Sequence, residues 1–348
     1  MNTPSVWDGQ RVDAIAAGAL PGLERVQNLV RSVRTPEFEG VTFHEVLTKS
    51  ALNHVPATSA MLPGEWTLNP YRGCTHACAY CFARPTHEYL GLGIGTAFET
   101  EIIVKVNLAE VLRRELATKR VLPERVALGT NTDPYQRAEG RYHIMPSVID
   151  ALAGKRIPFS ILTKGTLIRR DLDRLANAAT RVNVELGLSI AYLDEDLQRT
   201  LEPGAPSTAA RLDTLRAMRA AGFAPTVFLA PILPYLTDSE ERLEAMIAEL
   251  AAAGAANVLP TSLYLQPGVK DLVLTWLRRR YPELLPAYTE LYANGSRTPR
   301  AYRDTVKARV HQALHRHGLP VPDDSTEDKF ALLGKRRPPP PPAEPTLF

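Results

Sequence analysis

From residue 125 to residue 284 the apolar positions along the chain switch period repeatedly. "RVALGT" (125–130), "IPFSILT" (157–163), "RVNVELGLSIA" (181–191), "APTVFLAPILP" (224–234) and "ANVLPTSLYL" (256–265) are continuous apolar runs rich in β-branched residues. Runs of that length and composition predict strands buried on both faces. After them, "DLDRLANAA", "AARLDTLRAMRAAG", "SEERLEAMIAELAAAGA" and "KDLVLTWLRRRYPEL" place apolar residues three and four apart, which predicts helices with one buried stripe. Gly222 and Gly254 fall where a helix end in left-handed backbone needs a residue without Cβ. Two earlier runs, "EWTLNPY" and "FETEIIVKVN", read as further strands, the second followed by the helix "AEVLRREL". Repeated βα units give a parallel sheet, and six or seven of them suit an open doubly wound sheet or a full or partial barrel.

In either architecture the chemistry gathers beyond the carboxyl ends of the strands. Those ends carry "GTNTDPYQ" (129–136), "TKG" (163–165), "LSIAY" (188–192) and "APILPY" (230–235), and "EWTLNPY" leads into "NPYRGCTHACAYCFARP" (69–85). At 348 residues with 45% hydrophobic and 23% charged composition, the chain can bury one large core. A net charge of +3 is too small to assign a nucleic-acid partner by itself. No run is apolar and long enough to span a bilayer, and the opening residues lack an export pattern. A cytoplasmic protein with no membrane partner is expected.

All three cysteines, Cys74, Cys78 and Cys81, stand within eight residues in a CxxxCxxC spacing. They are too close to staple distant segments, and an odd thiol count fits a reducing compartment. A zinc-stabilised nucleic-acid-binding module would need a fourth ligand such as His76 or His87. An electron-transfer cubane wants four thiolates. Three thiolates on four irons leave one iron open to a small molecule, and S-adenosylmethionine can chelate it through its amino and carboxylate groups.

At these residues the chain resembles the radical S-adenosylmethionine superfamily, whose signature is CxxxCxxC with an aromatic, here Tyr80, before the last cysteine. The longer string "NPYRGCTHACAYCFARPTHEYLG", followed by "TNTDPYQ", "TKG", "LSIA" and "LEPGAPS", is similar to the branch of spore photoproduct lyase, often labelled DNA repair photolyase. The resemblance implies an α/β fold built as a partial (β/α)6 TIM-type barrel. It also implies a [4Fe-4S] cluster on Cys74, Cys78 and Cys81, and S-adenosylmethionine near Tyr80, Lys164 and Ser189. The activity implied is reductive cleavage of S-adenosylmethionine to a 5′-deoxyadenosyl radical, fed by an external flavodoxin- or ferredoxin-type donor and directed at DNA or another nucleotide-containing substrate. Lysine suits a carboxylate and a serine hydroxyl suits a ribose.

One departure stands out. The branch places a hydrogen-donating cysteine before Thr-Asp, where this chain has Asn131; an amide cannot replace a thiol in that role, so the catalytic set stays open. Asn131, Asp133 and Tyr135 are candidates for the substrate side, and Tyr71, Tyr80, Tyr135 and Tyr192 are phenols beside the expected site. "RYHIM" and "RTPRAYRD" interleave arginines with aromatics that can stack bases. The expected organisation is an extension over 1–60, the barrel over 61–300, a helical segment over 301–330 and a Pro-rich tail over 331–348. Five prolines (338–342) make the tail stiff, and its final Leu347 and Phe348 resemble the ends of peptides that dock into the sliding clamp.

Overall fold

A computed structural model describes residues 28–56 and 66–322. The expected clamp-docking pair Leu347 and Phe348 and the proline run lie outside the described residues. In chain order the strands are β1 (Leu29–Val33), β2 (Thr42–Val46), β3 (Asn53–His54), β4 (Trp66–Leu68), β5 (Tyr71–Arg72), β6 (Glu101–Lys105), β7 (Val126–Leu128), β8 (Phe159–Thr163), β9 (Val184–Ser189), β10 (Thr226–Ile232) and β11 (Asn257–Ser262).

Among the described residues these strands form two sheets. The larger has the order β11-β10-β9-β8-β7-β4-β3. From β4 to β11 its neighbours run parallel and follow chain order, while β3 adds antiparallel to β4 at the edge. Six parallel strands in sequence, with helices between most of them, are the expected (β/α)6 arrangement. The helices Leu172–Ala179, Thr208–Ala220, Glu240–Ala252 and Val269–Arg280 fall on the predicted segments. Gly222 and Gly254 take φ +86° and +92° just past two of them. At the start of Glu240–Ala252 the Ser239 side chain accepts from the Arg242 amide at 3.3 Å, a cap that contributes about 1 kcal/mol.

The smaller sheet, ordered β1-β2-β6-β5, corrects one expectation. "FETEIIVKVN" does not enter the parallel sheet: Ala97–Thr100 is a helical turn, and β6 pairs parallel with β2 and antiparallel with β5. Its apolar run reads the same in either sheet, because a strand covered on both faces shows no alternation. Likewise "EWTLNPY" divides at Asn69 and Pro70 into β4 in one sheet and β5 in the other. The cysteine segment leaves from β5, so its start is anchored between the two sheets.

The core is continuous across the parallel strands and their helices. Leu128, Ile161, Leu186, Leu188, Val227 and Val258 from neighbouring strands are buried in it together with Leu215, Ile247 and Leu250 from the helices. Each such side chain contributes on the order of 2 kcal/mol on leaving water. Ile144–Gly154, a helix between β7 and β8, carries no label from the sequence patterns, and the helix Arg300–Arg316 packs on Glu240–Ala252. Among the described residues no helix is long and apolar enough to cross a membrane.

Candidate functional site

The cysteine loop is folded by tight local hydrogen bonds. Gly73 takes φ +77°, and a Cβ there would stand 2.8 Å from the Phe98 carbonyl, which itself accepts from the Cys74 amide at 2.9 Å. The Ala77 amide donates to Cys74 and the Cys81 amide to Cys78, each at 3.2 Å. Arg84 lies buried behind this coil and closes it. Its guanidinium donates to the carbonyls of Cys78 (2.9 Å), Ala77 (3.1 Å), Ile94 (3.0 Å) and Gly95 (2.7 Å), and to the Glu99 carboxylate at 2.6 Å.

The loop after β7 holds the coil from the other side. Gln136, fully buried, donates to the Gly73 carbonyl at 3.0 Å and accepts from the Thr75 amide at 2.9 Å. The Thr132 hydroxyl donates to the Tyr71 carbonyl at 2.8 Å, and Asn69 Oδ1 accepts from the amides of Asn131 and Thr132. A third segment, Leu201–Gly204, completes the enclosure: the Ala79 amide donates to Leu201 and the Gly204 amide to His76. A Cβ on Gly204 would fall 1.8 Å from the Thr75 carbonyl oxygen.

Cys74 and Cys78 are buried and Cys81 is half-buried, with Cys74 and Cys81 packed against Ala83 and Phe98. Burial pushes all three thiols up, Cys78 to about 12. Sulfurs in such surroundings stay protonated until a soft metal displaces the proton. Of the two histidines considered as a fourth ligand, His76 has both ring nitrogens engaged, whereas His87 keeps a buried Nδ1 without a partner. His76 engages Asp133 through Nε2 at 3.0 Å and the Gly204 carbonyl through Nδ1 at 3.3 Å. His87 bonds the Glu101 carbonyl through Nε2 and packs edge-on to Phe98. Among the described residues no three His, Cys, Asp or Glu side chains converge on one metal-ion position.

Beside the thiols the structure brings Tyr80, Lys164 and Ser189 together. Lys164 Nζ donates to Ser189 Oγ at 2.9 Å, lies 5.8 Å from the Tyr80 ring centroid and 3.7 Å from the Glu202 carboxylate. Glu202 also accepts from the Tyr80 hydroxyl and from Arg211 Nη2 at 2.6 Å, while Arg211 Nη1 donates to the Ser189 carbonyl at 3.0 Å. Burial alone disfavours the charge on Glu202, but Arg211 and Lys164 outweigh it and hold the carboxyl below its ordinary range. For Lys164 the same contest, settled by the Glu202 carboxylate, leaves the ammonium raised. The net result is a buried, fixed set of charges that presents an ammonium, a serine hydroxyl and a phenol side by side.

The substrate-side candidates take different places. Asp133 is a hub: its carboxylate accepts from His76, the Thr163 hydroxyl (2.5 Å), the Lys164 amide (2.6 Å) and the Tyr135 amide (2.8 Å). Tyr135 is buried with its hydroxyl donating to Asp171 at 3.0 Å, and Tyr71 donates to Glu139 at 2.5 Å. Tyr192 lies buried 6.5 Å from the Tyr80 ring. Asn131 is half-buried at the end of β7. Of "RYHIM", Tyr142 donates to Glu45, away from the thiols; of "RTPRAYRD", Arg297 lies over Tyr264.

Residues 68–247 match the model of the Radical SAM superfamily. The chain belongs to the radical SAM superfamily. It is 53% identical over 302 residues to an uncharacterized protein of Mycobacterium tuberculosis (strain ATCC 25618 / H37Rv), covering 87% of this chain and 88% of that one. It is 24% identical over 248 residues to the radical SAM Nalpha-GlyT isomerase of Pseudomonas phage M6, covering 70% of this chain and 49% of the isomerase. Among solved structures, a mutant of spore photoproduct lyase superposes with a TM-score of 0.58 at 17% identity over 79% of each chain. Spore photoproduct lyase complexed with dinucleoside spore photoproduct gives a TM-score of 0.56 at 15% identity, also over 79% of each. Membership of the superfamily thus rests on the sequence, and the likeness of fold to spore photoproduct lyase on the superposed structures.

Sequence reasoning missed three residues of this candidate site. Arg84, Glu202 and Arg211 are buried charges, a rare state without partners. Glu202 had a signal, since "LEPGAPS" was part of the resemblance, and Arg84 follows the last cysteine by three residues. Arg211 sits inside an amphipathic helix, where an arginine normally marks the wet face, and nothing in the sequence distinguishes it.

Proposed function

We propose that this chain holds a [4Fe-4S] cluster on Cys74, Cys78 and Cys81, binds S-adenosylmethionine beside it, and acts on DNA or another nucleotide-containing substrate. The donor set fits such a group: three soft sulfurs in one coiled loop, largely shielded from water, next to an ammonium, a serine hydroxyl and a phenol. Buried Thr75 Oγ1 and Arg211 Nε, which have no partner among the described residues, mark the same neighbourhood as built for a polar occupant. When bound, the cluster would supply one electron, delivered by a flavodoxin- or ferredoxin-type donor, that splits S-adenosylmethionine into methionine and a 5′-deoxyadenosyl radical.

The chain's own residues do the positioning. Lys164 offers a compact cation to a carboxylate, and Ser189 is held where its hydroxyl can both donate and accept. Glu202 keeps Lys164 charged and orients the Tyr80 ring. Asp133 fixes the backbone at Lys164 and the imidazole of His76 at once, so the β8 end and the cysteine loop keep one spacing. The nucleic-acid part is supported by the neighbours' ligand, a dinucleoside. The repair reaction itself does not follow, because Asn131 has no transferable hydrogen comparable to a thiol.

The observation that carries this proposal is the convergence of Tyr80, Lys164 and Ser189, chosen from separate strand ends, around one charge cluster beside the three thiols. Anaerobic reconstitution with iron and sulfide tests it. A brown protein that releases 5′-deoxyadenosine from S-adenosylmethionine on reduction is expected, and a colourless zinc protein that releases none overturns it.

A further inference from the structure

Tyr235 lies three residues beyond β10, at the same carboxyl end of the sheet as Lys164 and Ser189. Its backbone is left-handed, with φ +62°, a conformation bulky side chains rarely adopt. Yet its ring is half exposed. The turn that carries it is tightly built: Thr237 Oγ1 accepts from the Leu233 amide at 2.8 Å, and the amides of Leu236 and Thr237 return to the Leu233 carbonyl. An uncommon backbone held this firmly, around an aromatic that is not buried, is the kind of outlier that gathers at functional positions.

Two tyrosines pack against the ring and a third stands behind one of them. Tyr288 and Tyr302 lie 6.3 and 6.5 Å from the Tyr235 ring, and Tyr292 continues the arc 6.1 Å beyond Tyr288. Every hydroxyl of the supports is engaged: Tyr288 with the Pro234 carbonyl, Tyr292 with the Leu263 carbonyl, each at 2.8 Å, and Tyr302 with Asp238. One strand over, Tyr264 follows β11 by two residues, and the Arg297 guanidinium lies 5.4 Å from its ring centroid. The Leu263 amide donates to Ile232 at 3.0 Å, which fixes the two strand ends side by side. Among the described residues the exposed large aromatics are Phe82, Tyr89 and Tyr235, and the first two belong to the cysteine loop and the helical turn after it. An exposed π face at one strand end and a guanidinium on an aromatic at the neighbouring strand end are groups that stack a base and meet a phosphate.

We infer that Tyr235 is a stacking platform for an unpaired nucleobase of the substrate, with Arg297 on the flanking phosphate. This rests on the nucleic-acid part of the proposed function. The probe is single-stranded DNA of mixed sequence containing 2-aminopurine, added to the full chain and read by anisotropy and by quenching of the 2-aminopurine. Tyr235→Asn keeps a residue that tolerates left-handed backbone and removes the ring; it should weaken binding about tenfold and abolish the quenching. Tyr235→Phe should retain both, since the ring face and not the hydroxyl makes the contact. Equal binding and quenching in the wild type and Tyr235→Asn overturn the platform while leaving nucleic-acid binding intact. Loss of both in Tyr235→Phe also overturns it. No binding by the wild-type chain overturns the nucleic-acid assignment itself, and the platform with it.

Discussion

Arg84 Nε donates to the backbone carbonyl of Cys78 at 2.9 Å, so a buried guanidinium rather than a turn motif sets the middle of the cysteine loop. Lysine cannot replace it, because one ammonium does not reach carbonyls on both sides of the loop and a carboxylate together. Arg84→Ala leaves Glu99 half of a broken pair and should cost about 3 kcal/mol of stability. Both substitutions should lower iron bound after reconstitution, with the fall in melting temperature larger for alanine. Iron content and a thermal melt of each variant check this.

Lys164→Ala should leave the visible absorbance of the reconstituted protein unchanged and weaken S-adenosylmethionine binding roughly tenfold or more, the worth of one hydrogen bond to a charged group. Glu202 still has Arg211 at 2.6 Å, so the fold should survive the loss. Calorimetric titration at low salt decides it; affinity equal to wild type would falsify the assigned role.

Asn131→Cys should load as much iron as the wild type and add one thiol to the count under denaturing conditions. Asn131 touches the cysteine loop only indirectly, through its amide on Asn69 Oδ1 at 3.3 Å. Reduced iron content in this variant would mean that the end of β7 reaches the cluster ligands.

Asp133 makes a pH prediction. Burial pushes its carboxyl up, but His76, the Lys164 amide and Thr163 outweigh burial and hold it below the ordinary 3.8. A group whose folded value is depressed adds stability that is fully present above its unfolded value. That stability is lost as the pH falls through the folded value. Melting temperature should therefore be insensitive to this group above about pH 4 and fall below it. In Asp133→Asn, which is less stable at neutral pH, the acid limb should be shallower. An unchanged acid limb in that variant would remove Asp133 from the account.

The parallel sheet was legible because buried strands and one-sided helices differ in period, and β7 to β11 show that difference cleanly. The smaller sheet was not. β1 has mostly exposed residues, β3 and β5 are two residues each, and β6 reads like any buried strand. At the site, Cys74, Cys78 and Cys81 were visible through their spacing, and Lys164 and Ser189 through the resemblance carried by "TKG" and "LSIA". Asp133 and Tyr135 were visible as polar residues in the right loop, but only coordinates show that both are tied inward. Arg84 and Arg211 were hidden, since sequence does not tell a buried guanidinium from a surface one. Tyr235 stands in "APILPY" like any other loop aromatic, because its positive φ leaves no mark in composition.

The seam at Gly204 limits how such a chain can diverge. The atom a methyl group would strike is a backbone oxygen of the cysteine loop, 1.8 Å away, and no side-chain rotation makes room. Mutation at that position cannot proceed in small steps: the segment from Leu201 and the loop from Gly73 must be rebuilt together or left alone. A lineage descending from this architecture would thus inherit the joint between these two segments almost as a sealed unit and vary where side chains, rather than backbone, meet.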